Sequence, residues 1–103
     1  MQGNTDKFVT MIGFAKRSGK IVYGYDNLKS ARGIKLLAVS DTASINLAKD
    51  MRSLADKKNV PLVTAPALET IVGNNVKALG MTDGNMAQAA IGYAREADGY
   101  KAD

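Results

Sequence analysis

The sequence predicts an α/β fold in which helices cover both faces of a largely parallel sheet. Short apolar runs alternate with segments whose apolar residues recur at helical spacing. Leu36-Leu37-Ala38-Val39 is continuously apolar, as a strand covered on both faces must be. The connections between segments are short, and strands alternating with helices over short connections build layers of this kind. With 103 residues and no linker, low-complexity stretch or long repeat, the chain reads as one domain over 1–103.

The elements follow in order. Phe8, Met11, Ile12 and Ala15 form one helical stripe. Gly19 stops that helix, with Lys16 and Arg17 in the last turn, where the helix dipole favours cations. Ile21-Val22-Tyr23 is a short strand. Gly24 turns the chain into a helix over about Asp26 to Arg32, ended by Gly33. Leu36 to Val39 is the second strand, and Ser40-Asp41-Thr42 is expected to cap the helix after it. Leu47, Met51, Leu54 and Ala55 give that helix its apolar stripe, which ends at Lys57-Lys58-Asn59. Val60 to Val63 is the third strand, with Pro61 at its start or on a sheet edge. The unit from Leu36 to Val63 is expected to cross over right-handedly. A short helix spans Ala67 to Val72, with Pro66 in its first turn and Gly73 at its end. Ala78 to Met81 is the last strand. Thr82-Asp83-Gly84 caps a final helix that places Met86, Ala89, Ala90, Tyr93 and Ala97 on one face, and the tail after Gly99 is expected to fray.

Composition narrows the chemistry. The chain has neither cysteine nor histidine, so disulfides and thiolates are absent, as are the commonest general base and metal ligand. No apolar run approaches the roughly 20 residues of a membrane helix. Met1 to Asp6 has no signal pattern, so a cytoplasmic protein without membrane contact is expected. The net charge is +4 and is unevenly placed. Lys16, Arg17, Lys20, Lys29, Arg32 and Lys35 face a single nearby acid, Asp26, while the rest of the chain is almost neutral. A local excess of this kind suits a polyanion-binding face, although a solvated face would look similar.

Three motifs compete for a role. Gly13-Phe14-Ala15-Lys16-Arg17-Ser18-Gly19-Lys20 looks like a phosphate loop, but five residues separate its glycines. Ile21 stands where a magnesium-binding hydroxyl is required, and the segment ends a helix rather than starting one. Asp41 and Asp83 follow strands, a frequent place for catalytic groups. Each also precedes a helix, and without His, Cys or a paired carboxylate the capping role is favoured. Gly24-Tyr25-Asp26-Asn27-Leu28-Lys29 is the most informative piece. Gly24 admits close backbone approach, Asp26 and Asn27 can meet base edges, and Lys29 and Arg32 can meet phosphates. Tyr25 could stack on a base or pack inward, whereas Tyr23 is expected to pack. A helix cap with solvated cations accounts for the same residues equally well.

Taken with Val22-Tyr23-Gly24, Leu36 to Ser44, Asn59 to Val63 and Thr82 to Ala87, the Gly13–Lys20 segment gives an order and spacing that resembles the kink-turn-binding ribosomal protein family. The large-subunit proteins L-seven-Ae and L-thirty-e belong to it, and its short bacterial YlxQ-like branch is most similar. The resemblance runs from Phe8 to Tyr93. It implies a three-layer α/β/α sandwich with a mixed four-stranded sheet. It also implies binding to structured RNA, ribosomal RNA included, within a ribonucleoprotein, and a monomer is expected. No catalysis, cofactor, metal or small-molecule substrate is implied.

The family reads sheared G·A pairs with Gly-x-Asn-Glu-x-x-Lys. Here Asp26 and Asn27 hold the Asn and Glu positions in reversed chemical order. Ser30 holds the Lys position, with Lys29 one residue early. The expected RNA-contacting residues are Lys20, Gly24, Tyr25, Asp26, Asn27, Lys29 and Arg32. A second lip is expected at Gly73, Asn74, Asn75 and Val76. The altered motif leaves one alternative, a protein-interaction or structural module on the same fold without specific RNA binding.

Overall fold

The computed structural model describes residues 2–73 and 75–102. In chain order the elements are α1 (Gln2–Arg17), β1 (Ile21–Tyr23), α2 (Tyr25–Ser30), β2 (Leu36–Ser40) and α3 (Ile45–Lys58). They continue with β3 (Leu62–Ala65), α4 (Leu68–Val72), β4 (Ala78–Met81), α5 (Gly84–Glu96) and β5 (Lys101–Ala102). The strands form one sheet in the order β1-β4-β2-β3-β5.

Alternation along the strands builds two cores. In β2, Leu36 and Ala38 face one side while Leu37 and Val39 face the other. The first side joins Val63, Ala65, Leu79 and Met81 to Phe8, Ile12 and Ala15 of α1, to α4, and to Ala87, Ala90, Ile91 and Ala94 of α5. The second joins Leu62 and Ala78 to Leu28 of α2 and to Met51, Leu54 and Ala55 of α3. The architecture is therefore an α/β/α sandwich, with α1, α4 and α5 on one face and α2 and α3 on the other.

Two sheet expectations change. The sheet is mixed, as the resemblance implies and unlike the largely parallel sheet read from the residues: β2 and β3 pair in parallel, whereas β1–β4, β2–β4 and β3–β5 are antiparallel. It also has five strands rather than four. The fifth comes from the tail expected to fray. Gly99 turns the chain at φ 82°, and Tyr100 packs edge-on against Phe8 with ring centroids 4.9 Å apart. Lys101 and Ala102 then pair with Thr64 and Val63. β3 is thereby an interior strand, and Pro61 lies just before it, its carbonyl accepting from Leu37 N–H at 3.0 Å.

The caps also differ from expectation at one helix. Ser44 caps α3, its Oγ accepting from Leu47 N–H at 3.1 Å. The Ser40-Asp41-Thr42 cluster instead serves α4: Asp41 Oδ1 accepts from Ala67 N–H at 2.9 Å and Ser40 Oγ from Leu68 N–H at 3.2 Å. Asp83 caps α5 as expected, accepting from Met86 N–H at 2.9 Å. Each aspartate thus accepts a backbone N–H at the start of a helix.

Candidate nucleic-acid interface

Gly24 is the pivot between β1 and α2. It adopts φ 86° and ψ 144°, a region open to glycine and strained for other residues. Its N–H donates to the Ala78 carbonyl at 3.0 Å, extending the β1–β4 ladder by one bond. Its own carbonyl accepts from Leu28 N–H at 3.0 Å and closes the first turn of α2. Leu28 is fully buried and seats the helix on the sheet, where Gly80 leaves room for it.

The helix ends two residues earlier than expected. Ala31 is extended at ψ 145°, so Arg32 lies in the connection to β2. Lys58 of α3 explains the early stop. Its Nζ donates to the Ala31 carbonyl at 3.0 Å and the Lys29 carbonyl at 3.5 Å, satisfying the helix end from outside.

With Leu28 turned inward, Asp26, Asn27 and Lys29 are exposed. Asn27 Nδ2 donates to the Tyr23 carbonyl at 2.9 Å, which ties its amide across the Gly24 turn. Lys29 Nζ lies 3.8 Å from Asp26 Oδ1 and 5.2 Å from the centre of the Tyr25 ring. An exposed pair of this kind contributes about 0–1 kcal/mol, so either partner can exchange it for an incoming ligand. Both tyrosines pack: Tyr23 borders the core under α1 and α5, and Tyr25 borders the core under α2 and α3. Tyr25 remains half-exposed.

The expected second lip leads into β4. Gly73 ends α4 at φ 80°, Asn75 is left-handed at φ 59°, and Val76 is half-buried. Asn74 lies outside the described residues. The loop then enters β4 at Ala78, the residue bonded to Gly24. Segments some fifty residues apart in the chain thus meet at one edge of the sheet.

A polar cluster sets the base of that lip. Ser40, which is buried, shares its hydroxyl with Glu69 Oε1 at 2.5 Å, while Thr42 Oγ1 donates to Glu69 Oε2 at 2.6 Å. The Ser40 hydrogen bond, then that from Thr42, lower the Glu69 pKa from 4.5 to about 2, aided by its own backbone N–H and the Lys77 charge. Lys77 closes the loop: its carbonyl accepts from Ser40 N–H at 2.8 Å, and its Nζ donates to the Thr42 carbonyl at 3.4 Å. Sequence reading missed Ser40 and Glu69 as a pair. A hydroxyl directly after a fully buried run, which must find a partner, was the available signal.

The basic stretch divides. Gly24, Tyr25, Asp26, Asn27 and Lys29 share the β1–α2 turn, and the Gly24–Ala78 hydrogen bond joins that turn to the first residue of β4, two residues after Val76; Lys20 lies away from it. The Lys20 carbonyl accepts from Thr82 N–H at 3.0 Å at the far end of β1, roughly 13 Å along the strand from Gly24. Lys35 lies at that same end, its N–H bonded to the Met81 carbonyl at 2.7 Å, and Arg32 is on the way to it. Lys16 is engaged elsewhere, its Nζ capping α4 at the Val72 carbonyl at 2.8 Å.

No family model and no curated protein matches the chain. Among solved structures, a protein with unknown function from Bacillus halodurans superposes with a TM-score of 0.78 at 17% identity. The match covers 84% of this chain and 95% of that one. A likeness at this identity concerns the fold, which both chains share over most of their length.

Proposed function

We propose that this protein binds structured RNA without catalysis, in association with the ribosome, and that the recognised element is a kink-turn or related bent stem. The Gly24–Ala78 hydrogen bond carries the reading. It joins the Gly24 turn, which carries Asp26 and Asn27, to Ala78, two residues after the Gly73–Val76 loop, and this supports reading the two segments as lips for one ligand. The Asp26 carboxylate and Asn27 Oδ1 accept from guanine edges exposed where a stem bends, Lys29 meets a phosphate, and Val76 offers an apolar contact. The tether from Asn27 to the Tyr23 carbonyl holds its amide in place before binding, which limits the ordering that recognition requires.

The reversed order at Asp26 and Asn27, with Ser30 in place of lysine, favours the second reading, a protein-interaction module on the same fold. Crosslinking RNA to the protein in cells, followed by sequencing, separates the two. Recovery of fragments that contain bent or bulged stems supports RNA binding. Recovery of no RNA above background, alongside a co-purifying protein, contradicts it.

A further inference from the structure

The end of the sheet away from the Gly24 turn carries a groove between α5 and the C-terminal half of α3. Two adjoining hollows of about 330 and 650 Å³ form it, and they share Pro61, Gln88 and Ile91. We infer that this groove binds an extended acidic peptide segment of a partner protein, independently of any RNA held at the Gly24 turn.

The sheet edge explains why the groove is there. β5 reaches only Val63 and Thr64. Among the described residues, no strand covers that side of Val60 and Pro61, which lead into β3 and remain half-buried. α5 and α3 pack on opposite faces of the sheet, and they wall the gap from either side. Gly84, Gln88, Ile91 and Arg95 share one face of α5, and the helix between the first and last spans roughly 16 Å. An extended chain rises about 3.3 Å per residue, so the groove takes about five residues. Lys35 N–H meets Met81 at this end of β2, while Ser40 N–H meets Lys77 at the other. The length of β2, roughly 13 Å, thus separates the groove from the Gly73–Val76 loop.

The lining selects the occupant. Val60 and Pro61 give an apolar floor, backed by Ala87 and Ile91. Lys35 stands on the rim of one hollow, and Arg52 and Arg95 on that of the other, against a single carboxylate, Asp56. All four are exposed, and Lys35 and Arg95 make no ion pair among the described residues. No aromatic ring lines the groove for a base, and Asp56 repels phosphates. An acidic peptide satisfies the whole surface. Its carboxylates complement the rim cations, an apolar side chain rests on Val60 and Pro61, and its backbone N–H groups meet Asp56.

The test titrates the isotope-labelled full chain with the end-capped peptide Glu-Glu-Leu-Val-Glu-Glu and follows its amide resonances. Shifts at Val60, Gln88, Ile91 and Arg95, with Asp26 and Asn27 unmoved, are expected. Lys35→Glu and Arg95→Glu are each expected to weaken binding by about five- to tenfold, with circular dichroism checking that both stay folded. Replacing Leu-Val by Gly-Gly in the peptide should abolish the Val60 shift. No shift in the groove, or equal shifts from the Gly-Gly peptide, overturns the inference. An oligouridylate that moves the same amides as strongly as the peptide also overturns it and assigns the groove to RNA. Failure of a bent RNA stem to bind at Asp26 and Asn27 would overturn the RNA reading alone.

Discussion

Gly80→Ala tests how α2, which carries the reading turn, is seated on the sheet. A Cβ at position 80 would lie 2.7 Å from Leu28 Cδ2, 3.1 Å from Ile34 Cδ1 and 3.3 Å from Leu37 Cδ2. Ordinary carbon contacts begin at about 3.5 Å, so Leu28 must retreat by about 0.8 Å. Leu28 and Leu37 are fully buried and Ile34 nearly so, which leaves little room for that movement. Overpacking of this kind costs about 1–3 kcal/mol. Replacing a strand glycine by alanine returns about 0.5–1 kcal/mol of chain entropy. The middles of the two ranges leave a net destabilisation of about 1.2 kcal/mol, or a Tm lower by roughly 5–10 °C for a domain of this size. Urea unfolding followed by circular dichroism should show a lower midpoint with an unchanged slope. In a Leu28→Ala background, which removes the nearest obstructing atom, the same substitution should cost less. Strict additivity of the two changes, or a Gly80→Ala protein as stable as wild type, would refute the close-approach account.

Other outcomes follow from named contacts. Glu69 has a pKa of about 2 against 4.5 in its unperturbed state, so the stability it supplies is complete above pH 4.5 and lost as the pH falls toward 2. Glu69→Gln should therefore be less stable than wild type at pH 7, with the gap shrinking through that window in urea midpoints; a gap constant from pH 7 to pH 2 contradicts this. Gly24→Ala forces a side chain into φ 86° and should cost about 1–3 kcal/mol in thermal unfolding; a neutral result would show that the turn relaxes freely. Ser44→Ala removes the cap on Leu47 N–H and should cost about 0.5–2 kcal/mol without altering RNA affinity, because α3's first turn is outside the proposed contacts.

Much of the helix placement was legible because periodicity is a local signal. The Phe8, Ile12 and Ala15 stripe buries as expected, and Asp83 caps α5. Strand direction was not legible, since the apolar runs of β2 and β4 read alike whether they pair in parallel or antiparallel. β5 escaped notice because two residues, Lys101 and Ala102, carry no pattern; the tail is held by Tyr100 on Phe8, a contact across the whole chain. Ser40-Asp41-Thr42 has the composition of a cap for the next helix, yet its partners Ala67, Leu68 and Glu69 are more than twenty residues away. The same limit applies to the candidate site. Its residues could be singled out by type, and the strand read at Ile21–Tyr23 already separates Lys20 from Gly24, but that Gly24 meets Ala78 is visible only once β1 is paired with β4.

The most direct measurement of the central claim is the affinity of this protein for a bent, G·A-containing RNA stem against a plain duplex of equal length and charge, in parallel with Asn27→Ala. Because charge alone would bind the two RNAs alike, tighter binding of the bent stem, lost in Asn27→Ala while the protein stays folded, is the predicted result. Equal affinity for both RNAs, or a preference that survives Asn27→Ala unchanged, would contradict reading by the Gly24–Lys29 turn.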